Sequence, residues 1–466
     1  MKNSDKSSPE RRRNQATDLI TSGHIGSAVW FLAWPTIINQ LVSTAYSIIN
    51  AIFLGKIPNS TYSLAAIGVS GVILNLQWII SIGLSAGTSA LVSRFLGANE
   101  HENAEQAARQ SIILSVFGGA VAMVPLLLFP RFLVSLVGAK GHVLPLATSY
   151  TLIVSLSTIP LFVYMIATAV LRSQGDAKSP LYAGAAVIVL NVIFDWLLIF
   201  GVGSIPPLGI KGAAIATGIA RIAGMALTLM FIHRSVLGGA LSHLNANVEW
   251  FKRILNIGWP ASIQNLLMGT ASAVYMRVLG FLPNGAATSA EAAYTVALRI
   301  ESLSFMPGLA YSAAAAPLVG QNLGAGKPQR AAHSAWVAAG QATAIMAFVG
   351  SLFLIIPRYL AAPFTTDHRV LPIIISYLMI NSVSEPFLAL NMVFRGALQG
   401  AGDTRYPALI TFFTMWVVRL PLAWLLALHY RMGATGAWIA MSSSVVLSGI
   451  SMMVYFKLGN WRNVRV

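Results

Sequence analysis

The stretch Leu91 to Ala104, LVSRFLGANEHENA, returns 227 residues later as Leu318 to Ala331, LVGQNLGAGKPQRA. The same offset joins Leu171 to Pro180, LRSQGDAKSP, with Leu398 to Pro407, LQGAGDTRYP. Gly175, Asp176 and Pro180 thereby fall on Gly402, Asp403 and Pro407, and Lys178 falls on Arg405 with its charge kept. Neighbouring offsets pair Trp34-Pro35 with Trp259-Pro260, and LGIKGAAIA from Leu208 with MGATGAWIA from Met432. Matches in one order at near-constant spacing mean one design written twice, and such self-similarity bounds the architecture before any single residue does.

The composition says what kind of design. Of 466 residues, 56% are apolar and only 9% charged, with a mean hydropathy of +0.71, which is too apolar for a soluble chain of this length. Apolar runs of 20 or more residues, each long enough to cross about 30 Å of hydrocarbon as a helix, recur often enough to predict an all-α polytopic membrane protein. Twelve transmembrane helices are expected in two pseudo-symmetric six-helix lobes, with the fourth, seventh and tenth spans at 145–171, 252–282 and 371–395. Residues 1–24 are polar, carry Arg11-Arg12-Arg13 and lack a signal-peptide core, so they read as a disordered cytoplasmic tail. Residues 25–235 read as the N-terminal lobe, 236–251 as a cytoplasmic linker, and 252–466 as the C-terminal lobe with a short cytoplasmic tail.

Lys and Arg gather on the loops that share a side with the N-terminal tail, which places both termini in the cytoplasm of a multi-pass inner-membrane protein. The net charge of +16 is then topology and contact with anionic membrane lipids, not nucleic-acid binding. With no cysteine, disulfides, thiolate metal sites and cysteine catalysis are excluded. There is no GxxxxGK[ST] phosphate loop and no HExxH spacing, so neither an ATP motor, a metal centre nor an enzyme is indicated, and no cofactor is expected.

Polar groups at bilayer depth are costly and normally face protein or water, so they mark candidate sites. The first span carries Asn39, Gln40, Tyr46 and Asn50. In the fifth, Asn191 and Asp195 lie four apart on one helical face. Thr217 and Arg221 follow in the sixth, Arg221 as the obvious partner for a static ion pair and Thr217 with a bond to its own backbone as the simpler role. In the second half, Glu301 and Arg299 lie two apart on nearly opposite faces, Tyr294 shares the face of Glu301, and Glu385 precedes Pro386, where a kink and a freed carbonyl would widen a cavity. Arg277 and Arg395, near span ends, are expected to snorkel. Candidate cation-coupling residues are therefore Asp195, Asn191, Asn50, Thr217, Glu301 and Glu385. Candidate substrate-cavity residues are Asn39, Gln40, Tyr46, Gln264, Asn265, Met268, Tyr294 and Asn391.

The duplicated six-span set, the LVSRFLGA and LVGQNLGA twins, the GDAKSP and GDTRYP turns, LGIKGAAIAT and WVVRLPLAW together resemble the multidrug and toxic compound extrusion (MATE) family over residues 27–457. The resemblance implies two lobes around a central cavity and export of organic cations or amphipathic compounds in exchange for protons or sodium by alternating access. It implies that Asn191 and Asp195 help form a first-lobe cation site, with Asn50 where the family commonly has Asp. Met268 and Leu388 stand where some members carry a cation-binding Glu and an Asp. Protons are the expected coupling ion, because the remaining acids are few and separated, and a monomer is expected. The alternative is a lipid-linked precursor flippase of related fold, which Arg221, Arg299 and Arg419 would suit.

Overall fold

The structure is a computed structural model that describes residues 18–57, 60–203, 206–242, 245–283, 285–365 and 367–464. The first half contributes α1 (Ile25–Gly55), α2 (Ser60–Gly97), α3 (His101–Leu128), α4 (Pro130–Leu136), α5 (Val143–Ser155), α6 (Thr158–Ser173), α7 (Lys178–Phe200) and α8 (Ile210–His233). The second half contributes α9 (Val248–Gly280), α10 (Ala286–Gly324), α11 (Pro328–Ile355), α12 (Pro357–Ala361), α13 (Leu371–Ser382), α14 (Glu385–Gly400), α15 (Arg405–His429) and α16 (Gly433–Leu458). Each helix of the second half follows its counterpart in the first by eight places. Nine described helices are long and apolar enough to cross a membrane, and two bent pairs raise the number to eleven. The helix α9, 33 residues long with Pro260 inside it, completes the twelve by its place in the repeat.

Two of the expected single spans are broken. The fourth divides into α5 and α6 with a bend of 51°, and the tenth into α13 and α14 with a bend of 59°. Pro386 thus sits in the first turn of α14, where its missing N–H is no loss, and not in mid-span where it would have freed a carbonyl. α15 departs from its twin α7 in another way, containing π-helical turns at Phe413–Arg419 and Leu425–His429.

The chain divides into two compact units, one comprising residues 34–259 and the other residues 19–33 with 260–466. The divisions fall inside α1 and α9, at the twin Trp-Pro steps, so the lobe boundaries expected at 25, 236 and 252 are displaced. Residues 1–17, with Arg11 to Arg13, lie outside the described residues, but 18–24 are placed and are no disordered tail. Ile20 is buried in the second unit, and its carbonyl accepts from Asn322 Nδ2 and Arg330 Nε, both at 3.2 Å. In the first unit the corresponding corner is held by Arg109, whose Nη2 donates to the Gly239 carbonyl at 2.8 Å.

The repeat also governs how helices end. After α2 the left-handed residue is Asn99 (φ 61°), with N–H bonds from Asn99 to Leu96 and from Glu100 to Phe95. After α10 it is Gly326 (φ 68°), with bonds to Leu323 and, from Lys327, to Asn322. This is the Schellman arrangement that satisfies the last carbonyls of a helix. Gly97 and Gly324 are the last residues of these helices, and the left-handed turn comes two residues later. Gly175 and Gly402, both at φ 86°, end α6 and α14 in the same way. Asp176 then caps α7 through the N–H groups of Lys178 and Ser179, whereas Asp403 is bonded by Tyr455 Oη at 2.5 Å.

Packing is inside-out relative to a soluble protein. Large apolar side chains such as Val121, Leu136 and Ile355 are more than 70% exposed, while the buried positions are rich in Ala, Gly and Ser. Where lipid is as apolar as the side chains, close backbone approach replaces hydrophobic collapse as the source of helix association. A Cβ on Gly400 would meet the Ala316 carbonyl, and one on Gly396 the Ser312 carbonyl, so α10 and α14 touch backbone to backbone. Gly400→Ala should therefore cost about 1–3 kcal/mol by overpacking. Gly218→Ala, whose new methyl meets nothing nearer than Ser157 Cβ at 3.8 Å, should be neutral or slightly stabilising. Thermal unfolding in detergent reads both. The Asp403 carboxyl, buried in the turn before α15, is pushed above the usual aspartate range by that burial, against the pull of the Tyr455 hydroxyl and Arg405. An acid whose folded-state pKa is raised supports folding at low pH and loses that contribution as pH rises through its folded value. Asp403→Asn should flatten this part of the pH dependence of the melting temperature.

Candidate functional site

In the first unit α7 approaches α1 closely because position 184 is glycine. The Asn39 side-chain oxygen occupies the space that a Cβ there would need. This approach brings the polar face of α1 onto Asp195, which is 1% exposed. Tyr46 Oη donates to Asp195 Oδ2 at 3.2 Å, and Asn50 Nδ2 donates to Tyr46 Oη at 3.2 Å. Tyr46 and Asn50 are one turn apart on α1, as Asn191 and Asp195 are on α7. Three oxygens of this cluster, Asn50 Oδ1, Asn191 Oδ1 and Asp195 Oδ1, are buried without a hydrogen-bond partner.

The expected static ion pair is absent. Arg221 Nη1 donates to Ser157 Oγ at 3.2 Å, at the break between α5 and α6, and no described cation forms a salt bridge with Asp195. Thr217 Oγ1 donates to the Ala213 carbonyl at 3.0 Å, the local backbone bond expected of it. A carboxylate withdrawn from water with neither counter-ion nor a full set of donors is unstable as an anion. The cluster gathers three unpartnered oxygens around a carboxylate whose described hydrogen bond comes from Tyr46.

The second unit holds its acids differently. Glu301 Oε2 accepts from Tyr377 Oη at 2.5 Å, and Glu385 Oε2 accepts from Ser304 Oγ at 2.5 Å. Ser304 lies one turn beyond Glu301 on α10, while Tyr377, Asn381 and Glu385 repeat every fourth residue across the bend from α13 to α14. The two acids are thus strung along one buried seam. Gly350 opposite leaves room for Glu385, whose Cβ would stand 3.1 Å from a Cβ at that position. Arg419, on the π-helical stretch of α15, donates through Nε to Ser444 Oγ at 2.7 Å. Glu385 Oε1 and Asn381 Oδ1 are buried and unpartnered.

Of the residues expected to line a substrate cavity, Tyr294 belongs instead to the core of the second unit. It is stacked on Trp438 at 5.7 Å and packed beside Tyr275 and Tyr377. Gln264 is likewise internal, with Nε2 donating to the Pro407 carbonyl at 3.0 Å and to Thr411 Oγ1 at 2.8 Å, so it ties α9 to α15. Asn265 bonds its own helix at Ala261, and Asn391 donates to Ser448 Oγ at 2.7 Å. Asn39, Gln40 and Tyr46 are half-buried on α1. Arg277 lies 5.9 Å from the Phe281 ring at the end of α9, whereas Arg395 does not snorkel away but turns onto the Met268 sulfur at 3.3 Å. Sequence reasoning passed over Tyr377, Asn381 and Ser304. The fourfold spacing of Tyr377, Asn381 and Glu385 is the signal in the sequence, and the bend between α13 and α14 conceals it from a reading by single spans.

The MatE family model matches residues 35–197 and 260–425, one stretch in each half, and the two matches begin at the twin prolines. The chain is 26% identical over 441 residues to a probable multidrug resistance protein NorM of Thermotoga maritima, covering 92% of each. It is 28% identical over 440 residues to an FAD transporter of Shewanella oneidensis, covering 93% of this chain and 94% of that one. Among solved structures, the outward-facing conformation of a multidrug resistance MATE family transporter of the MOP superfamily superposes with a TM-score of 0.87 at 24% identity. That match covers 95% of this chain and 97% of the other. With a twelve-helix duplicated fold and a family match through both halves, the chain belongs to the MATE family and is a multi-pass membrane transporter, not an enzyme.

Proposed function

We propose that this transporter exports small organic solutes, amphipathic and cationic drug-like compounds among them, across the cytoplasmic membrane in exchange for an inward-moving cation. Both termini are cytoplasmic in this reading, and a single chain is the working unit. The name of the NorM relative supports the drug-like cargo. The coupling rests on one observation: Asp195 is buried, hydrogen-bonded through one oxygen to Tyr46, and without an ion pair.

Such a carboxylate favours a state in which a cation neutralises it and resists one in which it stands charged and dry. If the inward- and outward-facing forms hydrate Asp195 differently, the cation binds them with different affinity, and only that difference can drive the exchange. A proton on Asp195 is the simplest occupant and is the first reading. Sodium is the second, favoured by the three unpartnered oxygens of Asn50, Asn191 and Asp195. A proton supplies a partner to one oxygen, whereas a hard cation accepts several at once.

Two measurements on inverted vesicles test this reading. With a fluorescent organic cation as cargo, Asp195→Asn should lower uptake under an imposed ion gradient about tenfold or more. Uptake untouched by that change would move the coupling to Glu301 and Glu385. Asn191→Ala separates the ions. Proton-driven uptake should survive it within about threefold, while sodium-driven uptake, which needs the amide oxygen, should drop about tenfold.

A further inference from the structure

The second unit contains a cation for which its described residues supply no anion. Arg395 lies on the half-open face of α14, one turn after Asn391, and its guanidinium has five N–H donors. The described contact of that group is Nη1 on the Met268 sulfur of α9 at 3.3 Å, a weak acceptor. The acids of the unit are engaged elsewhere: Glu301 with Tyr377, Glu385 with Ser304, Asp403 with Tyr455. Glu291 is distant, because the neighbouring Gly396 packs against Ser312 and Glu291 lies 21 residues earlier on the same helix, about 30 Å away. Asp367 precedes α13, at the other end of the α13–α14 pair. Arg299 and Arg419, the other arginines considered for recognition, differ from Arg395: one is exposed and the other is turned onto Ser444.

A guanidinium turned onto protein within a membrane-spanning helix pair and lacking a carboxylate is costly unless something anionic visits it. Its planar fork matches a phosphate or carboxylate bidentately. The surroundings suit the rest of such a ligand. Met268 offers an adaptable apolar surface, and Asn391, bonded to Ser448 through its amide nitrogen, keeps a carbonyl for a donor. We propose that Arg395, with Met268 and Asn391, forms an anion-recognition subsite that holds the phosphate or carboxylate of an amphipathic substrate. The proposal rests on the export reading above and extends the cargo from cations to solutes with an acidic group. The FAD transporter among the relatives makes FAD, with its diphosphate, a suitable probe.

The test is flux in phosphatidylcholine proteoliposomes of the full chain, using FAD and carboxyfluorescein as anionic probes and a fluorescent organic cation as reference. The expected result is that wild type carries at least one anionic probe and that Arg395→Gln lowers the ratio of anionic to cationic flux about tenfold. Arg395→Lys should recover part of the ratio, since a point charge replaces the fork. Met268→Glu should lower it as well, by placing a carboxylate against the guanidinium. An unchanged ratio in Arg395→Gln, or a wild type that carries the cation but neither anion, overturns the subsite. A wild type that carries nothing overturns the export reading itself. Repeating the assay with phosphatidylglycerol in the vesicles covers the other source of the same chemistry. If Arg395→Gln changes only the response to anionic lipid, the occupant is a lipid headgroup and the solute proposal falls.

Discussion

Inside a bilayer no water is available to complete a hydrogen bond, so every polar group buried there must find its partner within the protein. Most of this chain obeys that constraint by local means. Serine and threonine hydroxyls return to the carbonyl one turn back, as at Ser81, Thr88, Ser111 and Thr228, and paired Schellman turns close α2, α6, α10 and α14. The exceptions are then informative. Among the described residues Asn50, Asn191, Asp195 and Glu385 each keep a buried oxygen unpaired, as do Gln77, Gln264 and Asn322 elsewhere in the helix packing, and the described contact of the Arg395 guanidinium is with sulfur.

The two halves share a backbone and diverge in chemistry. Breaks between α5 and α6 and between α13 and α14, left-handed residues at positions 227 apart, and close approaches at Gly212 and Gly436 recur in both. These features depend on backbone geometry, which tolerates little change at a glycine contact. Asp176 recurs as Asp403 in the turns, but the acids buried within the spans do not recur. Asp195 lies on α7, whereas in the second unit Glu301 and Glu385 lie on α10 and α14, and the helix equivalent to α7 carries π-helical turns and Arg419. A duplicated scaffold can thus hold a buried carboxylate bonded to Tyr46 in one unit and, in the other, two acids along a seam with Arg395 apart from them, because side chains at helix faces change without altering how the helices pack.

Small residues make this arrangement possible. Gly184 lets Asn39 and the polar face of α1 reach α7, Gly350 lets Glu385 enter the second unit, and Gly400 brings α14 against α10. The same contacts set α14 so that Arg395 meets Met268. Packing and site are therefore one problem in this protein: a methyl group added at these glycines would shift the helices that carry the functional groups.

The sequence by itself determined the class of the protein, the duplication, the family, and the residues that are out of place in lipid. Period, composition and repeated motifs are local properties, and a charge within an apolar run is visible without a fold. Only the tertiary structure decided how those residues are used. It placed Tyr46 on Asp195 and sent Arg221 to Ser157, it put Tyr294 and Gln264 into packing and not into a cavity, and it turned Arg395 toward Met268. Each of these depends on which helix faces meet, and on bends such as those before Thr158 and Glu385 that hydropathy does not register. A hydrogen bond between residues 149 positions apart, like that of Tyr46 and Asp195, has no trace in local sequence because its geometry is set by every helix packed in between.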